Sequence, residues 1–114
     1  LTRMAAAFAS PVISITNTAH SGSLPMVHSF MRLERGSVEI TSVKRAEDGR
    51  GLIIRGVELA GDGKGVRIAL PGVKSARLTD THEREDGAAL AVENGVITFD
   101  ARPCGLFAIR AEMA

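Results

Sequence analysis

The sequence predicts an all-β fold, an antiparallel β-sandwich of about eight short strands. Three observations predict it. No apolar stripe of 3.6-residue period persists beyond the first dozen residues, and short alternating runs dominate instead. Turn signals divide those runs at regular intervals: "EDGRG", "GDGKG", "PG" and "ENG". Finally, the 114 residues are 45% hydrophobic and 24% charged, enough for one core without staples, so residues 1–114 are expected to form a single domain.

The opening stretch, "LTRMAAAFASPVISI", has the flavour of a leader: one Arg, then Ala and Phe. Its apolar part is short and interrupted by Ser10 and Pro11, so it is expected to belong to the mature structure. The absence of an initiator Met at Leu1 suggests a piece cut from a longer chain. A strand is predicted over Val12–Thr16, a loop over Ala19–Pro25, and another short strand within "MVHSFMRL", with Val27 and Phe30 out of strict phase.

The next elements are clearer. "GSVEITSVKR" and "LIIRGVEL" flank the turn "AEDGRG" and predict a hairpin. Val38 and Ile40 set one face of the incoming strand; Val43 breaks the alternation, which predicts a bulge or twist. In the outgoing strand Leu52 and Ile54 lie on one face, with Ile53, Arg55, Val57 and Leu59 on the other. A strand apolar on both faces is expected to be covered on both. "VRIAL" should turn Val66, Ile68 and Leu70 inward, and "KSARLTD" Ala76 and Leu78. "THERED" is the most polar stretch and is expected to be a solvated loop. In "GAALAVENGVITFDA", Asn94-Gly95 suits a two-residue type I′ turn. That register pairs Glu93 with Val96, Val92 with Ile97, Ala91 with Thr98 and Leu90 with Phe99, and puts four apolar side chains on one face. "GLFAIRAEM" should turn Phe107, Ile109, Ala111 and Met113 one way and Leu106, Arg110 and Glu112 the other.

Composition removes several functions. Fourteen Lys+Arg against thirteen Asp+Glu offer no electrostatic case for nucleic acid or anionic membrane. No apolar run is long enough to span a bilayer. Cys104, the single cysteine, allows no disulfide within the chain and leans toward a reducing, cytoplasmic compartment. His20, His28 and His82 lack the i, i+2 or i, i+4 partners of metal sites, so no metal site and no cofactor are expected in this chain. The acidic pairs Glu47/Asp48 and Glu83/Glu85 are turn neighbours rather than carboxylates flanking a sugar. Ser37, Ser42 and Ser75 have no nucleophile-elbow context, and "GDGKG" lacks the end of a phosphate loop. Without Trp or Tyr, stacking platforms for sugars or single-stranded nucleic acid are missing. No catalytic residue is expected.

Arg55 stands out as a permanent charge among apolar neighbours. Its pattern allows a partner within the domain, with Glu39 or Glu58 as candidates across a strand. It equally allows a binding role at a domain seam, where Arg suits bidentate pairing.

"SVEITSVKRAEDGRGLIIRGVEL" also resembles the C-terminal β-domain of glycoside hydrolase family 38, the α-mannosidases. The matching residues are Lys44, Glu47-Asp48-Gly49 and Leu52-Ile53-Ile54-Arg55. Leu24-Pro25 and Ser29-Phe30 match upstream; "HERE", Pro103 and Ile109 match downstream. Gly56-Val57-Glu58 departs from the family, which tends to an aromatic residue and often Asn there. The resemblance implies a non-catalytic accessory domain, packed against the remaining domains of a parent that hydrolyses α-mannosides with a bound zinc. It favours the seam reading of Arg55. An independent carbohydrate-binding module is the alternative, and a small oligomerisation module a third.

Overall fold

A computed structural model describes residues 2–84 and 86–114. It contains one short helix, α1 (Thr2–Ala9), and eight strands: β1 (Arg32–Arg35), β2 (Val38–Arg45), β3 (Leu52–Glu58), β4 (Val66–Ala69), β5 (Val73–Thr79), β6 (Asp86–Glu93), β7 (Val96–Phe99) and β8 (Leu106–Met113). All pairings are antiparallel, and the strands form one sheet in the order β1-β4-β7-β6-β5-β8-β3-β2. The all-β prediction holds.

The sheet curls around one core rather than lying open. Phe99 on β7 and Phe107 on β8 are separated by β6 and β5 in the strand order, yet their ring centroids are 5.1 Å apart. Strand β6 turns the corner: Asp86, Ala89 and Leu90 pair with β5, while Ala91–Glu93 pair with β7. The arrangement is compatible with a sandwich whose two layers are joined through β6. Ile54, Val66, Ile68, Ile97 and Ile109, all fully buried, centre the core.

The register of the β6–β7 hairpin is the one the Asn94-Gly95 turn predicts: Ala91↔Thr98, Val92↔Ile97 and Glu93↔Val96. Asn94 (φ 50°) and Gly95 (φ 76°) both take the left-handed backbone that a type I′ turn requires. Leu90, expected opposite Phe99, instead pairs with Ala76, because β6 has by then changed neighbours. The break of pattern near Val43 corresponds to a register shift between Ile40 and Ser42.

One predicted strand does not form, and another is displaced toward its C-terminal end. Residues 10–31 carry no helix or strand, and Val12, Ile13 and Ile15 are almost wholly exposed. The strand expected within "MVHSFMRL" is confined to β1, which starts at Arg32. Alternation alone does not make a strand; it needs a sheet edge to bond, and no edge of this domain takes those residues.

Candidate functional site

The convex face of β2, β3, β8 and β5, turned away from the core, carries an unusual number of cations. In the cross-strand register Lys44 lies opposite Ile53, Ile53 opposite Arg110, and Arg110 opposite Arg77. Arg55 is one step along, beside Ala108. An uncompensated row of this kind would repel itself. The compensation comes from the segment between β5 and β6.

That segment folds back at Asp80, whose carbonyl accepts a bond from the Glu83 N–H (3.2 Å) and whose carboxylate accepts one from Arg84 N–H (2.9 Å). Glu83, in left-handed backbone at φ 62°, is thereby laid onto the sheet. Its carboxylate accepts bonds from Lys44 Nζ (2.7 Å) and an Arg55 terminal nitrogen (2.8 Å) on one oxygen, and from Glu47 N–H (3.1 Å) on the other. Arg110 donates to the Glu83 carbonyl (2.9 Å) and, through its other nitrogen, to both Asp48 oxygens (2.9 and 3.1 Å). Thr81, His82 and Arg84 are exposed as a solvated loop should be, but Glu83 is buried, and Ile53 on the convex face is fully buried. Composition gave no sign of Glu83's burial because three cations, not apolar contacts, draw that one residue inward. Glu85, grouped with Glu83 in sequence, lies outside the described residues.

Arg55 finds its internal partner in Glu83, not in the sequence candidates Glu39 and Glu58, and also donates to the Thr81 carbonyl (2.9 Å). A third of its side chain remains exposed. Arg110, which the sequence pattern merely assigned to the face away from the core, is the most buried cation of the group.

The hydrogen bond from Lys44, with help from Glu47 N–H and Arg55, lowers the Glu83 carboxyl below its usual range. The same contact raises the Lys44 ammonium. The Arg50 N–H, then the Arg50 and Arg110 guanidinium groups, lower Asp48 to about 2. Depressed carboxyls contribute stability that is present above their unfolded values and lost as pH falls through the folded ones. Melting temperature should therefore fall between about pH 4.5 and pH 2. Asp48→Asn should be less stable at neutral pH and show a flatter acid limb at the low end. An acid limb as steep as the parent's would remove Asp48 from this role.

Beside this network lies an open groove of about 500 Å³. It exists because β5 and β8 part company: Leu78↔Ile109 is their last pair, and residues 106–108 of β8 continue alone along β3. Residues 78–81 form one wall and 100–102 the other, with 106–108 between them. Arg55 fastens the first wall through Thr81. Glu58 fastens the second. Its carboxylate, 1% exposed, accepts the N–H groups of Ala60 (2.8 Å), Gly61 (2.7 Å) and Cys104 (2.8 Å). These bonds, Cys104's foremost, lower its pKa. Leu106, 75% exposed, stands at the mouth.

The groove has the makings of a contact surface. Its one ring, Phe107, is 9% exposed and offers no stacking face. Asp100 is engaged by Lys64 Nζ (2.7 Å) and Gly65 N–H (2.9 Å). The histidines are scattered: His20 bonds within its own turn, His28 packs edge-on against Phe30, and His82 is exposed. Among the described residues no three His, Cys, Asp or Glu side chains are placed to hold a metal.

The family model described as the glycosyl hydrolases family 38 C-terminal beta sandwich domain matches residues 37–106. No curated protein and no solved structure matches the chain.

Proposed function

Because the chain belongs to the C-terminal β-sandwich domain family of glycoside hydrolase family 38, we propose that it is a catalytically silent accessory domain of an α-mannosidase. It packs against the catalytic part of its parent and completes that fold. The family match carries this reading, and the convex face supplies the surface for it. Arg55 and Leu106 lie on neighbouring strands of that face, one held in an ion network with its flank exposed, the other an apolar side chain largely in solvent. We place the seam with the parent there.

The zinc expected of the parent finds no fitting donor set among the described residues. Zinc chemistry and the hydrolysis of mannosides belong, in this reading, to the remainder of the parent.

The test uses the chain and the intact enzyme together. The chain alone should not turn over an aryl α-mannoside, with or without zinc. Leu106→Asp should leave the isolated domain's melting temperature nearly unchanged, since an exposed substitution costs at most about 0.5 kcal/mol. In the intact enzyme the same change should lower activity or melting temperature clearly, because it places a charge in a dry contact. Turnover by the purified chain, or an intact enzyme indifferent to both Leu106→Asp and Arg55→Ala, would overturn the reading. A localised set of amide shifts on adding mannose or mannobiose would favour the carbohydrate-binding alternative instead.

A further inference from the structure

Most large apolar side chains ahead of β1 are exposed. Val12, Ile13 and Ile15 are 85–95% exposed, and Met4, Phe8, Met26 and Val27 are exposed to a similar degree. Among the described residues, the hydrogen bonds of Asn17, Thr18, His20 and Ser29 reach no more than three positions along the chain. Of the described residues ahead of β1 only Met31 packs against the core, whose buried members run from Val38 to Ala111.

The stretch Pro11–Thr16 has the chemistry of a strand. Four of its six residues are β-branched, which disfavours helix and favours a pleated surface. Ile13 and Ile15 would share one face, opposite Val12, Ser14 and Thr16. Pro11 suits the first position of a strand, where a ladder donor is dispensable. Asn17 supplies the stop: its side-chain oxygen accepts the Thr18 N–H at 2.8 Å. Burying such a segment requires both an apolar pocket and a backbone edge, because its N–H and C=O groups need partners once water is gone.

This domain offers no suitable edge. β1 is four residues long, three of them charged, with a register shift after Leu33. β2 carries a bulge between Ile40 and Ser42 and ends in Lys44 and Arg45. Both edges have the features that discourage an incoming strand. The free side of β8 at the groove spans only residues 106–108.

We propose that Pro11–Thr16 is a strand donated to the rest of the parent enzyme, adding to a sheet edge there and burying Ile13 and Ile15. The inference rests on the accessory-domain reading and gives it a second attachment, separate from the Arg55–Leu106 face.

Amide hydrogen exchange of the intact enzyme, compared with the isolated chain, tests it. The amides of residues 12–16 should exchange about a hundredfold or more slowly in the intact enzyme and freely in the isolated chain. Ile13→Asp should abolish that protection while Ile54 and Ile109 stay protected; Ile13→Val should keep it. If 12–16 exchange freely in the intact enzyme while residues around Leu106 gain protection, the arm inference fails and the accessory reading stands. If no residue of the chain differs between the two samples, both fail. Protection that rises with concentration in the isolated chain identifies a second copy as the partner and overturns the proposal.

Discussion

Gly56→Ala is expected to cost the domain about 3 kcal/mol, a large part of the stability of a chain this size. Gly56 lies in β3, between Ile40 of β2 and Phe107 of β8. A methyl group there would sit 2.6 Å from the Glu39 carbonyl oxygen and run into the Phe107 ring. The ring also packs against that of Phe99. The carbonyl belongs to backbone and cannot step aside without moving β2. The melting temperature should drop by roughly 10–15 °C. Phe107→Leu in the same chain should recover only part of the loss, since the carbonyl stays in place. A Gly56→Ala variant melting within a degree or two of the parent would mean that β2 and β3 are further apart than described.

Glu58→Gln is expected to be nearly as harmful as Glu58→Ala. An ionised carboxylate is an acceptor at both oxygens, and this one faces N–H groups on both. An amide has one oxygen and one NH₂, so either orientation turns a donor toward a donor. The loops after β3 and before β8 would lose their common anchor, and residues 100–102 with them. Both variants should melt on the order of 10 °C lower than the parent. Because the Glu58 carboxyl is held below its usual range, its contribution is present above about pH 4.5 and is lost as pH falls through the lowered value. If Glu58→Gln melts like the parent at pH 7, the carboxylate's role is geometric only and the ionic account of this anchor is wrong.

The legible parts of the structure were those in which local chemistry and apolar pattern agree. The Asn94-Gly95 turn dictates a two-residue hairpin, and Val92 and Ile97 then face each other without further information. "VRIAL" buries Val66, Ile68 and Leu70 as its alternation requires. Where pattern stood without a partner it failed. Val12–Thr16 has the composition of a strand and is not one here, because a strand is defined by the edge it bonds to.

The candidate site was only half legible. Arg55 was visible as a charge out of place. Its partner was not, because Glu83 lies 28 positions away in the most polar stretch of the chain. Arg110 gave one signal, its place directly after the apolar run Leu106–Ile109, and the pattern assigned it simply to the side away from the core. The buried carboxylate of Glu58 gave no signal, since its ligands are backbone N–H groups and carry no side-chain identity.

The sequence by itself determined the class of fold, most strand faces, the register of the β6–β7 hairpin beside its turn, and the family, because these depend on short-range periodicity, turn geometry and the order of short motifs. Only the tertiary structure decided which charges meet, how the sheet curls through β6, and where β5 and β8 separate to open the groove. Those depend on contacts between residues far apart in the chain, whose energies no local pattern encodes.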